Sequence, residues 1–142
     1  YNKNIQNKTK LSIYETIILA SIIQGESKFK ADMDTISSVY HNRLMKNMLL
    51  QADPTVQYLM PEQKKNLLYK DIEIDSPYNT YKYKGLPPGP INNPGINAII
   101  SASNPAQSDF LFFVSNGKGT HIFNHTYKKH LRSKRNVSRK FK

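Results

Sequence analysis

The chain has 142 residues, enough for one domain with a core of its own, and 38% apolar with 22% charged residues places it among globular rather than disordered chains. It holds no cysteine, which removes disulfide frameworks and cysteine-based zinc sites. The net charge is +11, but residues 128–142 carry eight basic residues and no acid, so removing those eight leaves +3 for residues 1–127. The body is therefore only mildly basic.

No apolar run approaches the roughly 18–20 residues of a membrane span. The start, Tyr1-Asn2-Lys3-Asn4, has no signal-peptide h-region, so the chain is expected to be a soluble piece of a longer protein. Residues 1–10 are polar and are expected to be flexible. From Leu11 to about Gly25 the spacing of Leu11, Tyr14, Ile18 and Ile22 predicts a helix, and Ile13, Ile17 and Ile23 widen its stripe into that of a core helix. A second helix is expected after an Asp32 or Asp34 cap and up to about Lys46, with Met33, Ile36, Val39, Tyr40 and Leu44 inward. The mixed segment Leu49 to Tyr58 reads as extended, because Pro54 biases Asp53 away from the helical region. Side chains at 51, 53 and 55 would then share one face between apolar anchors, as in the wall of a cleft for a polar ligand.

Pro61 is expected to open a short helix through about Tyr69, and Asp71 to Asp75 an acidic linker. Residues 76–95 are dense in turn formers, with a short strand over Thr80–Lys84 and a proline-stiffened stretch Gly85-Leu86-Pro87-Pro88-Gly89-Pro90. Asn93 is placed to cap, and Pro94 to open, a helix through about Ser103. Phe110–Val114 reads as the clearest buried strand, His121–Phe123 as its hairpin partner, and Asn124 as the cap of a basic helix from about Thr126. Helices first and a small sheet later predict an α+β fold, with the N-terminal helices packed on a small mixed or antiparallel sheet and the Pro/Gly-rich loop lining a cleft.

Glu26 is the leading candidate for chemistry. It follows Ile22 by four residues, so it stays beside the buried stripe, and it stands where the helix dipole opposes a negative charge. Both effects raise a carboxyl pKa, as a general acid for a leaving oxygen requires. The plainer alternative is an exposed glutamate at a helix end. Asp53, between Gln51 and Thr55, has a neighbourhood that favours the ionised form; it is either the second carboxylate of a glycosidase pair or an Asx-turn acceptor ahead of Pro54. The spacing of His121, His125 and His130 fits no zinc signature, so no metal and no cofactor is expected, and His121 reads as a cleft-facing hydrogen-bond donor. Gly117-Lys118-Gly119-Thr120 lacks the spacing of a phosphate loop. The basic tail suits nucleic acid, an anionic membrane surface or an acidic polymer, or is simply a solvated helix end; the body holds no nucleic-acid motif, so no nucleic-acid partner is expected.

These groups of residues occur in register: Ala20-Ser21-Ile22-Ile23 with Glu26; Val39-Tyr40 with Asn42-Arg43-Leu44; Leu50-Gln51 with Asp53-Pro54-Thr55-Val56; Ser76-Pro77-Tyr78-Asn79-Thr80-Tyr81; Gly85 to Gly95; Asn104-Pro105-Ala106; and Phe112-Phe113-Val114 leading to His121, Phe123 and His130. Together they resemble the catalytic domain of the YceG-like (MltG-type) endolytic murein transglycosylases over residues 11–131. That resemblance divides the chain into a flexible segment 1–10, a catalytic domain 11–131 and a basic tail 132–142. It implies a lyase of peptidoglycan glycan strands that cleaves the β-1,4 bond from N-acetylmuramic acid to N-acetylglucosamine and leaves 1,6-anhydromuramoyl ends. Glu26 would act as acid and then base. The resemblance differs at Gln24, often glutamate in relatives, and at Gly25. Asn42, Gln51, Asp53, Thr55, Tyr78, Asn79, Tyr81 and His121 are the expected glycan-binding residues, with Tyr78 or Tyr81 stacking on a sugar, and Arg43 an expected structural ion-pair partner. The resemblance further implies a full-length protein anchored in the bacterial inner membrane through a missing N-terminal segment, facing the periplasm and associated with cell-wall synthases. A peptidoglycan-binding module without turnover is the alternative.

Overall fold

The computed structural model describes residues 9–62 and 66–140. The expected flexible segment therefore lies, up to residue 8, outside the described residues. Helix α1 spans Ile13–Glu26. It starts later than Leu11 because Ser12 and Glu15 close a reciprocal capping box: the Glu15 N–H donates to Ser12 Oγ at 3.1 Å, and the Ser12 N–H donates to Glu15 Oε1 at 2.9 Å. Ile18, Leu19, Ile22 and Ile23 are buried, whereas Ile13 and Tyr14 in the first turn are exposed.

Helix α2 spans Lys30–Met45 and begins ahead of both aspartates proposed as its cap. Each aspartate instead serves a later part of the chain. Asp32 meets His121, and Asp34 accepts from Ser101 Oγ at 2.5 Å. Met33, Ile36, Val39 and Tyr40 are buried as the spacing requires.

The segment expected to be extended at 51–57 is instead the five-residue helix α3, Asp53–Gln57, with Pro54 in its first turn. Proline's fixed φ suits that position, and the chain enters the helix from extended Ala52. As a result, residues 51, 53 and 55 do not share a face: Gln51 and Asp53 are exposed and Thr55 is fully buried.

The helix expected from Pro61 to Tyr69 falls partly on 63–65, outside the described residues; the described residues of that stretch form bends and turns. Asp71–Glu73 is a single 3₁₀ turn in place of a linker, and buried Asp71 accepts the Leu68 N–H at 2.8 Å. No strand forms at Thr80–Lys84, because the N–H groups of Lys82 and Tyr83 both turn back to the Asn79 carbonyl. Helix α4, Ile96–Ser103, begins at a Gly95 cap, past Asn93 and Pro94. Gln24 of α1 fixes that start by accepting the Gly95 N–H at 2.9 Å. Its buried Ala98, Ser101, Ala102 and Ser103 are small, so α4 packs closely on α1 and α2.

Strands β1 (Phe112–Ser115) and β2 (His121–Asn124) form an antiparallel hairpin with Phe113 opposite Phe123 and Ser115 opposite His121. The strand begins two residues later than expected and is half-buried, not buried. Alternate side chains face different partners. Phe113 meets Tyr40 of the core edge-on at 5.7 Å, whereas Phe112 lies against Tyr127 and His130 of helix α5, Tyr127–Lys140. Asn124 belongs to β2 and does not cap α5. Its Nδ2 donates to Ser133 Oγ at 3.0 Å, and Thr126 Oγ1 accepts the Lys129 N–H. Helix α5 runs unbroken across residue 132, where the tail was expected to start. The fold is α+β: α1, α2 and α4 enclose the core around Leu19, Ile22, Ile23, Ile36 and Tyr40, with the hairpin on one side and α5 on the outer face of the hairpin.

Candidate active site

An open cleft of about 1400 Å³ is bordered by the C-terminal end of α1, α3, the hairpin and the inner face of α5. Its geometry depends on a close approach that the sequence did not advertise. A Cβ on Gly25 would lie 2.8 Å from Pro54 Cβ, so only glycine lets the end of α1 abut the start of α3. That abutment brings Glu26, the last residue of α1, next to Asp53, the first residue of α3.

The Glu26 carboxyl has its pKa pushed up from 4.5 to about 8. Burial is the main cause, since it disfavours the charged form, and the negative charge of Asp53 adds to it. The Tyr40 hydroxyl opposes the rise, because a phenol O–H beside the carboxyl favours its ionised form. The Tyr40 ring is buried, and its hydroxyl has no partner of normal hydrogen-bond geometry among the described residues, so it is available to the carboxyl beside it. Its own ionisation is suppressed by burial and by Glu26 and Asp53, which keeps it a donor. Tyr81 donates a hydrogen bond to Asp53 Oδ1, and burial and that carboxylate hold its phenol well above the usual range. At neutral pH this leaves Glu26 protonated, with the Tyr40 hydroxyl beside it and Asp53 accepting from the Tyr81 hydroxyl.

Of the expected site residues, Glu26, Gln51, Asp53, Tyr81 and His121 border the cleft, and Asn42, Thr55, Tyr78 and Asn79 do not. Asn42 Nδ2 donates to the carbonyls of Ser108 and Phe110, each at 2.9 Å. Asn79, fully buried, holds the carbonyls of Ile72 and Ile74. Thr55 Oγ1 donates to the Ala52 carbonyl at 2.7 Å and lies 2.9 Å from Thr80 Oγ1, which fixes α3 to the following turns. Tyr78 packs on Tyr58, ring to ring at 5.1 Å, beneath the Pro/Gly-rich loop. Of that loop and its continuation only Ile91 and Asn92 reach the cleft; Pro88 is tied to α1 by the Tyr14 hydroxyl. These polar residues hold the frame that carries the cleft.

His121 sits in the cleft wall with its side chain 6% exposed and Nδ1 2.9 Å from Asp32 Oδ2. With Nδ1–H donating to that carboxylate, Nε2 of the neutral ring is an acceptor, so the expected donor role belongs to the protonated ring alone. His125 and His130 have different surroundings: His125 pairs with Asp109 at 2.7 Å and His130 stacks on Phe112. Among the described residues no three metal-ligating side chains converge. Arg43 makes no ion pair among the described residues. Its Nε and Nη1 donate to the carbonyls of Leu111 and Leu49, and its guanidinium lies 5.0 Å over Phe112. Sequence reasoning missed Tyr40, read as pure core, and Lys134, read as tail. The only signal for Gly25 was its position one residue before the candidate acid.

The fold and cleft define an α+β domain built around one protonated carboxyl. The chain belongs to the YceG-like family, whose family model matches residues 1–136. It is 46% identical over 132 residues to the endolytic murein transglycosylase of Bacillus subtilis, covering 93% of this chain and 37% of that protein. It is 37% identical over 120 residues to the endolytic murein transglycosylase of Streptococcus pneumoniae, covering 81% of this chain and 22% of that protein. A crystal structure of a YceG-like protein from Listeria monocytogenes superposes with a TM-score of 0.80 at 45% identity, over 87% of this chain and 40% of that one. The chain thus spans well under half the length of the curated relatives it matches.

Proposed function

We propose that this chain is the catalytic portion of an endolytic murein transglycosylase acting on peptidoglycan glycan strands. The observation that carries this reading is Glu26, a carboxyl with its pKa raised to about 8 at the wall of an open cleft. Relatives that cover nearly the whole chain and bear that activity in their names support it. Protonated Glu26 donates to the oxygen of the β-1,4 bond between N-acetylmuramic acid and N-acetylglucosamine, and the bond to C1 breaks with oxocarbenium-like character. The Glu26 carboxylate then accepts the proton of the muramoyl C6 hydroxyl as that oxygen bonds to C1. The products are a 1,6-anhydromuramoyl end and a free N-acetylglucosamine end, with no water consumed.

One acid suffices because the nucleophile belongs to the substrate and is held at high effective concentration. Burial, with the negative charge of Asp53 adding to it, keeps Glu26 protonated, and that same charge faces the developing cation. Gln51, Tyr81 and His121 are the glycan-binding candidates that border the cleft. In the whole protein, the domain would stand on the wall side of the bacterial membrane, held by an anchor elsewhere in the sequence and working beside cell-wall synthases. Among the described residues no helix is long and apolar enough to cross a membrane.

The test is mass spectrometry of glycan strands digested with wild type and with Glu26→Gln. Anhydromuramoyl ends from wild type alone are expected. Reducing ends would mean hydrolysis, with Asp53 activating water. No product from folded wild type would leave a binding module.

A further inference from the structure

The described lining of the cleft carries two acidic side chains, Glu26 and Asp53, where α1 meets α3, and three permanent cations: Lys28 just beyond Glu26, and Arg43 and Lys134 toward the hairpin and α5. Arg43 stands over Phe112, and His130 stacks on the same ring with centroids 5.2 Å apart. Lys134 follows His130 by four residues and so shares its face of α5. Among the described residues neither Arg43 nor Lys134 has an acid within salt-bridge distance. The His130 imidazole is held below its usual pKa by burial, Lys134 and Arg43, so the three groups feel one another across a short space. Its Nδ1 is buried without a partner among the described residues.

Lys134 and Arg43, on the hairpin and α5 side of the cleft and without an acidic partner among the described residues, are placed to meet an anion. The sugar rings of a glycan strand are neutral. The muramoyl residue, however, carries a lactyl ether that ends either in its own carboxylate or in a peptide with carboxylates of its own. We propose that Lys134, with Arg43 behind it, forms a carboxylate subsite for the lactyl substituent of the glycan, on the α5 side of the cleft. The proposal rests on the reading of the chain as a glycan-strand enzyme. It assigns the first part of the presumed tail to substrate selection.

The test measures binding by the full 142-residue chain carrying Glu26→Gln, with and without Lys134→Gln, at low and moderate salt. Three ligands are compared: peptide-bearing glycan, peptide-free glycan with free lactyl carboxylates, and a chitin oligosaccharide, which has no lactyl group. Lys134→Gln is expected to weaken binding of a carboxylated ligand roughly threefold to tenfold, a typical range for a partly exposed charge-assisted contact, and to flatten its salt dependence. Chitin-oligosaccharide binding should be unchanged, and Lys134→Arg should restore affinity. Lys128→Gln, on the same helix but outside the cleft lining, serves as the control and should change nothing. Loss with peptide-bearing glycan alone locates the carboxylate on the peptide, and loss with peptide-free glycan locates it on the lactyl group. Equal loss on all three ligands, equal loss with Lys128→Gln, or no loss at all would overturn the subsite. Digestion by wild type, run separately, tests the enzymatic reading: cleavage without a Lys134 effect removes only the subsite, and a Lys134 effect without cleavage removes only the enzyme.

Discussion

Glu26 is expected to control both turnover and pH behaviour. Its donor proton is lost as the pH rises through about 8, so the rate should fall there, and Asp53→Asn should move that fall to lower pH because a charge that raises the Glu26 pKa is gone. A rate profile between pH 6 and 10 checks both. The same carboxyl bears on stability. The folded state keeps its proton up to about pH 8 and the unfolded chain releases it near 4.5, so this group's contribution is full below 4.5 and lost as the pH rises through 8. Glu26→Gln should therefore raise Tm, on the order of a few degrees, at pH 9 and change it little at pH 4. Gly25 is the second decisive residue. Gly25→Ala drives a methyl into Pro54, so α1 and α3 must separate; a loss of about 1–3 kcal/mol in urea titration and a fall in kcat are expected.

At the scale of elements, several residues that looked like ligands proved to be connectors. Asn79→Ala orphans the carbonyls of Ile72 and Ile74, at roughly 1–3 kcal/mol for each group left unpaired in the interior. Its effect should appear in the denaturation midpoint even when glycan binding by the surviving folded protein is unchanged. Ser12→Ala breaks the capping box of α1 and should cost about 1 kcal/mol, measured the same way. The sequence made the apolar stripes of α1 and α2 legible because helical spacing is local. It misread α3, since the same Pro54 that disfavours a helix before it favours one starting with it, and only the Thr55–Thr80 and Ala52 hydrogen bonds select the second outcome.

At the scale of the molecule, α5 closes the fold. Tyr127 and His130 cover Phe112, and Ser133 receives the Asn124 side chain, so the helix is part of the packed body through at least residue 133. Truncation after Leu131 would leave a five-residue stub. It is expected to lower Tm on the order of several degrees, as followed by calorimetry, whereas a loose tail would leave Tm where it was.

The sequence by itself determined the α+β class, the core faces of α1 and α2, the hairpin and the identity of Glu26 as the candidate acid. These follow from spacing, turn chemistry and a motif series that act over a few residues. Which polar side chains face the cleft was decided only by tertiary structure. Gln51, Asp53 and Tyr81 reach it while Asn42, Thr55 and Asn79 are turned to backbone carbonyls or a neighbouring hydroxyl, because a buried carbonyl must find a donor and the nearest amide or hydroxyl supplies it. The Gly25–Pro54 approach, which joins two segments 29 positions apart and gives Glu26 its charged neighbour, exists only once the helices have packed.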